Sequence, residues 1–250
     1  MYGTGPIRAQ GAFTGDFGIA AGTPADRIPG EIERDREIMV LRPGMRHKHV
    51  PITIDPATGQ VFCGGRYLFD TYQDAEAYRQ WVVNEFAVDG VPFPERPYFV
   101  DPAFLAWQVV GAHDFEPLET HVAVRMERWA LPRSTPAKAL AGFWHAAHAE
   151  AARQGLASVW LLHSPERREL GLVTVLGRGA DQAPRPMEET VGLLLARSLG
   201  GVFDAHAVGE KSFDRAGLVW TIWTPRAAPG EAPSLWPNSP PLPAPVPAAV

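Results

Sequence analysis

The chain has 250 residues, 46% of them hydrophobic and 20% charged, with a formal charge of −5 and one cysteine. That is enough for one large domain or two small ones with a proper core. The mild acidity, with no basic block, argues against a nucleic-acid partner, and the lone Cys63 excludes an intramolecular disulfide.

In chain order, residues 1–37 are glycine-rich and aperiodic and close on the charged run EIERDRE. Ile7, Phe13, Phe17, Ile19 and Ile28 are more apolar than a free tail needs, so this stretch reads as a leader or a lid. EIMVL and HVPITI read as extended, split by Pro43-Gly44, and residues 55–59 form a turn. QVFCGGRYLFDT is a strand whose glycine pair marks a bulge or a close approach. Asp70 or Thr71 caps a helix in which Ala75, Tyr78, Val82 and Phe86 share a face. A proline-rich loop then leads to the strand FLAWQVVGAHDF.

HVAVRMERWAL opens a second series. A helix follows from Thr135-Pro136 to about Gln154, then a hairpin across PERR, a helix from Met187 to about Leu199, and the strand GLVWTIW. The order β-α-β-β-α-β is ferredoxin-like, and the first half ends in the same way. The predicted fold class is therefore α+β, with two tandem ferredoxin-like units: a distorted one over 38–118 and a second over 119–225. Residues 226–250 form a proline-rich, PPII-like tail. No secretory signal and no membrane-length apolar run are visible, which predicts a cytoplasmic protein.

The chemistry centres on MRHKHV. His47 and His49, two apart on a strand, face the same way, and imidazole is well placed to take a proton near neutral pH. Arg46 beside them offers a cation for an oxyanion. The flanking Arg46 and Lys48 equally fit a solvent-facing strand. A metal reading needs an acid shortly after the second histidine. The chain offers only Asp55, inside a turn, so no metal is predicted. Trp107, Val109, Gly111 and His113 share a strand face that could wall a pocket. Trp160 and His163, and Trp220 and Trp223, sit an odd number apart and so face opposite sides. Cys63 reads as a packed thiol. No GxGxxG or GxSxG context is present.

The stretch GGRYLFDTYQDAEAYRQWVVNEF, through Gly65, Tyr67, Leu68, Phe69, Ala75, Ala77 and Tyr78, resembles a signature of small bacterial monooxygenases of the dimeric α/β-barrel superfamily. With REIMVLRPGMRHKHVP, the leader and the tail, the chain is similar to the ring-opening oxygenases of angucycline pathways (jadomycin, gilvocarcin, kinamycin). The resemblance implies a pseudo-dimeric barrel in one chain that oxygenates a polycyclic aromatic polyketide with O2 and opens a ring by C–C cleavage. It implies reduced flavin (FADH2 or FMNH2) as a diffusible co-substrate from a separate flavin reductase, although anthrone-oxidising relatives use no cofactor. It also suggests a homodimer. On that reading His47, His49, His113 and Arg46 are catalytic, and Trp107, Phe62, Tyr67, Tyr72, Trp160 and Trp223 hold the substrate in the barrel. The rivals are a non-oxidative cyclase, a binding or resistance protein, and a metal-dependent dioxygenase.

Overall fold

A computed structural model describes residues 3–24, 27–55, 57–133, 135–178, 185–197, 199–203 and 208–224. The expected tail at 226–250 lies outside the described residues. Among the described residues, eight long strands and four helices make up the fold. They are β1 (Gly11–Ile19), α1 (Arg27–Met39), β2 (Met45–Ile54), β3 (Val61–Phe69), α2 (Tyr72–Asn84) and β4 (Phe99–Asp114), then β5 (His121–Ala130), α3 (Ala137–Arg153), β6 (Ser158–Ser164), β7 (Glu169–Gly177), α4 (Met187–Ala196) and β8 (Lys211–Trp223). The strands hydrogen-bond in the order β4-β1-β3-β2-β8-β5-β7-β6, and β6 pairs back onto β4, so the sheet closes into an eight-stranded antiparallel barrel. The order within β4-β1-β3-β2 is repeated by β8-β5-β7-β6.

Closure sorts the side chains into three layers, because neighbours on a strand point to opposite faces. The lumen holds Ala12, Leu68, Trp107, Met126, Trp160, Leu162 and Val173 among others, close-packed. Outside the first half of the barrel, Phe13, Tyr67, Tyr78 and Trp223 pack with α1 and α2. Outside the second half, Trp129, Phe143, Leu161 and Leu194 pack with α3 and α4. The lumen tryptophans are satisfied locally. Trp107 Nε1 donates to Thr14 Oγ1 at 2.9 Å and Trp160 Nε1 donates to Ser158 Oγ at 2.9 Å.

Local sequence explains the elements. Thr71 caps α2, accepting from the Asp74 backbone N–H at 3.1 Å, and Pro136 precedes the first turn of α3. The Gly64-Gly65 pair serves close approach: a Cβ on Gly64 would lie 2.2 Å from the Gly15 carbonyl oxygen, and one on Gly65 2.4 Å from the Tyr67 ring.

Three expectations need correction. The segment read as leader contains β1 and α1, so the first half starts near residue 11 and not at 38; the glycines of β1 hid an otherwise buried strand. EIMVL is not extended but straddles the end of α1, where Ile32, Asp35, Arg36 and Met39 supply a buried helical face. Strand parity is also broken twice. Register shifts between Val109 and Gly111 and between Val219 and Thr221 each flip the faces that follow. Trp107 therefore faces the lumen while His113 packs against Phe115 and His148. Trp220 and Trp223 lie on the same outer side.

The close approach makes a paired prediction. Gly64→Ala, which must push two paired backbones apart, is expected to cost about 1–3 kcal/mol. Gly142→Ala, in α3 with nothing near its would-be Cβ, is expected to gain roughly 0.5–1 kcal/mol. Urea melts of both variants check this, and a fully tolerated Gly64→Ala would contradict the packing described.

Candidate functional site

The hexapeptide MRHKHV is divided among three places. His47 and His49 point into the lumen, Lys48 points to the opposite side, and Arg46 reaches the surface to pair with Asp70 at 2.7 Å.

In the lumen, His49 meets a histidine that the sequence did not single out. His49 Nε2 lies 3.0 Å from His121 Nδ1, and His121 Nε2 lies 3.3 Å from the Glu116 carbonyl oxygen. A carbonyl only accepts, so His121 carries its proton on Nε2 and its Nδ1 accepts from His49. Trp160 lies 5.5 Å from the His47 ring and 5.4 Å from the His49 ring. Burial pushes His47 down to about 3 and His121 to about 4, and drives His49 well below the usual histidine range. All three are neutral at physiological pH and shut inside packed side chains. They do not contact the large cavity of the first half, so the expected role of His47 and His49 as proton acceptors at the substrate finds no support in their placement. Among the described residues no group of three His, Cys, Asp or Glu side chains is arranged to hold a metal ion.

That cavity lies on the other side of the sheet, between β1–β4 and α1. About 550 Å3 separates its walls, part of it open to solvent, but the space left free inside has room for only a few waters. Phe13, Phe17, Phe93, Phe99 and Phe104 form much of the wall. Lys48 is 5% exposed, with its Nζ 3.5 Å from the centre of the Trp223 ring and 4.5 Å from that of Tyr67. Met39 Sδ lies 3.9 Å away. Burial lowers the Lys48 amine to about 7, with Cys63 and Asp35 pulling it back up. The amine is therefore shared between its charged and neutral forms near neutral pH. Tyr78 OH donates to Tyr67 OH at 3.1 Å, and burial raises both phenols. Burial also raises the Cys63 thiol to about 11, so it stays protonated, in keeping with a packed thiol.

Asp35 on α1 is raised by burial, opposed only in part by Arg96, which donates to both carboxylate oxygens at 2.7 and 2.8 Å. The pair pins α1 over the cavity.

Of the residues expected to form the site, only Tyr67 and Trp223 line this cavity. Trp107 and Trp160 are fully buried in the lumen, and His113 sits against α3. Tyr72 begins α2, half-buried, and Phe62 lies under the Arg215 guanidinium, 4.0 Å from it. Around Trp107 and Trp160 the lumen is filled by its own side chains. Lys48, Asp35, Arg96 and Met39 were missed. The available signal was parity: if the histidines face the lumen, the lysine between them must face the helices.

No family model matches the chain, and no curated protein matches it. Solved structures do. A candidate monooxygenase from Fusobacterium nucleatum superposes with a TM-score of 0.55 at 10% identity, over 87% of this chain and 96% of its own. An anthrone oxidase-like protein does so with a TM-score of 0.52 at 13% identity, over 86% and 93%. The chain shares with them a closed, eight-stranded α+β barrel fold. At these identities the likeness is one of architecture. In this barrel, no helix among the described residues is long and apolar enough to cross a membrane.

The lumen histidines predict acid sensitivity. The folded state refuses their protons and the unfolded chain binds them near pH 6.5. Their contribution is therefore intact above that pH and lost as pH falls toward the folded values of about 3 and 4. Each histidine removes about 1.4 kcal/mol per pH unit in that window. Asp114, which burial raises to about 7, opposes one of them. His121→Gln should flatten the slope of stability against pH between 6 and 4.5 by about one histidine's worth. An unchanged slope would contradict the buried neutral cluster.

Proposed function

We propose that the protein is an oxygenase of a polycyclic aromatic polyketide, with the cavity under α1 as its active site and Lys48 as the proton-transfer group. The observation that carries this is a near-neutral amine, caged by Trp223 and Tyr67 in a phenylalanine-lined cavity. The shared fold with a candidate monooxygenase and an anthrone oxidase-like protein supports it. The repeated strand order supports reading the barrel as two ferredoxin-like units in tandem, a pseudo-dimer within one chain.

Neutral Lys48 takes a proton from a phenol or from an acidic C–H beside a carbonyl. The ammonium so formed stays over the two rings and pairs with the new oxyanion, while the Tyr78–Tyr67 hydroxyl pair gives the substrate oxygen a hydrogen-bond donor. The delocalised anion is electron-rich enough to react with O2 in a site walled mainly by apolar side chains. Arg96 holds both oxygens of Asp35.

The small free volume means that a planar multi-ring substrate enters only when α1 lifts away from the sheet, with Asp35–Arg96 as the latch. The finer activity, insertion of oxygen beside a quinone carbonyl and ring opening of an angucyclinone, rests on the GGRYLFDT resemblance. Reduced flavin from a reductase would supply the two electrons that this insertion needs. The wall does not fit a resident flavin, because Arg96, the guanidinium that lines it, is already held by Asp35. Flavin is therefore proposed only as a diffusible co-substrate.

Oxygen uptake with an anthrone or angucyclinone, with and without a flavin reductase, is the direct assay. kcat/KM is expected to rise with pH through about 7, as Lys48 loses its proton. Lys48→Met should lower it by roughly 10²–10⁴-fold, while His49→Gln stays within a few-fold of wild type. Turnover without O2 would end the oxygenase reading in favour of a cyclase. Binding without oxygen consumption would favour a carrier or resistance protein. Full activity in Lys48→Met would displace the active site.

A further inference from the structure

A second cleft opens on the lumen side of the sheet, at one mouth of the barrel, separate from the cavity that holds Lys48. About 770 Å3 separates its walls, part of it open to solvent, and it is lined in part by Asp16, Phe62, Arg128, Phe213 and Arg215. A small adjoining pocket shares Asp16, Phe62 and Arg215 with it and adds Arg66.

Three guanidiniums and one buried carboxylate thus line the two adjoining spaces. Arg66 consumes that carboxylate: its Nη2 donates to Asp16 Oδ1 at 2.7 Å and its Nη1 to the Gly15 carbonyl at 2.9 Å. Arg215 lies 3.7 Å from the same oxygen and rests over the Phe62 ring at 4.0 Å. Arg128 has no hydrogen bond or ion pair from its side chain among the described residues. It lies over the Phe213 ring at 4.1 Å, with its Nε buried and without a partner. The Arg66 Nε is likewise buried without a partner. Asp101 lines the rim but is exposed, and Glu169 is engaged by Arg167 at 2.9 Å.

A guanidinium taken out of water costs free energy that hydrogen bonds to an anion recover. Burial lowers both Arg128 and Arg215 from the usual arginine value. Two of the three cations therefore have no anion of their own in hydrogen-bond contact, and their fork-shaped donors suit a two-oxygen acceptor. The flanking Phe62 and Phe213 rings offer flat apolar faces to whatever carries that acceptor.

The geometry points to this cleft as a binding site for an oxyanion, a carboxylate or a phosphate, borne on a flat aromatic body. Arg128 and Arg215 grip the oxyanion, and Phe62 and Phe213 face the ring. The site is independent of Lys48 and of the chemistry proposed there.

Isothermal titration of the full chain at low salt tests it with 1-naphthoate, phenyl phosphate, inorganic phosphate and the neutral 1-naphthalenemethanol. The two aromatic anions supply the two oxyanion chemistries, and submillimolar binding of either supports the site. Inorganic phosphate and the neutral alcohol are expected to bind at least tenfold more weakly. Arg128→Gln should weaken the aromatic anion at least tenfold, and Arg215→Gln should do the same if Arg128→Gln does not fold. Lys48→Met should bind it as wild type does, so failure of the oxygenase reading leaves this result standing. Equal binding of the neutral alcohol, unchanged affinity in folded Arg128→Gln and Arg215→Gln, or no binding of either aromatic anion at millimolar concentration would overturn the proposal.

Discussion

The pairing of β6 with β4 closes the barrel, and most of the architecture depends on that closure. A closed sheet has an inside and an outside, and strand geometry sends alternate residues to each. In MRHKHV this puts two histidines in a dry lumen and the lysine between them in a layer under helices. Two compartments with different chemistry are built from consecutive residues of one strand. The middle of the lumen is packed, and part of its polar set is bonded internally, through the His49–His121 and Trp107–Thr14 bonds. The first half's outer layer keeps a cavity because α1 is held over it by the Asp35–Arg96 pair, along with its apolar contacts.

That pair also links the fold to the proposed chemistry. A buried carboxylate next to a near-neutral lysine would ordinarily hold the lysine charged. Engaging both of its oxygens with Arg96 limits that pull, and burial then dominates the Lys48 amine. The rings around Lys48 stabilise the charged form without fixing it there. Opening the cavity and tuning its base therefore share one interaction. The barrel mouth shows the opposite balance, with more guanidinium than carboxylate and two arginines resting on phenylalanine faces.

Much of this was legible in the sequence. Helices α2, α3 and α4 were marked by Thr71, Pro136 and Met187 with their apolar spacing, and the 158–177 hairpin by its turn. Gly64-Gly65 announced a close backbone approach. β1 was obscured because its glycines suppress the β-branched and aromatic signal that marks a strand, although Phe13, Phe17 and Ile19 were noticed. The site was harder to find. Parity arguments placed Trp107 with His113, and Trp220 opposite Trp223, but single-residue register shifts reverse both relations and leave no mark in composition. His121 was passed over because it opens a strand, 72 residues from its partner His49. Lys48 fits a solvent-facing strand equally well in the sequence, but the alternation puts it beneath α1.

On the proposed reading the reacting compound lies between α1 and the first half of the sheet, not within the barrel. A crystal structure of the protein with a bound anthrone or angucyclinone analogue is the decisive experiment. The ring system is expected beside Trp223 and Tyr67, with one of its oxygens within hydrogen-bond reach of Lys48 Nζ and α1 displaced outward. A ligand seated in the lumen against His49 and His121, or beneath α3 and α4, would contradict it.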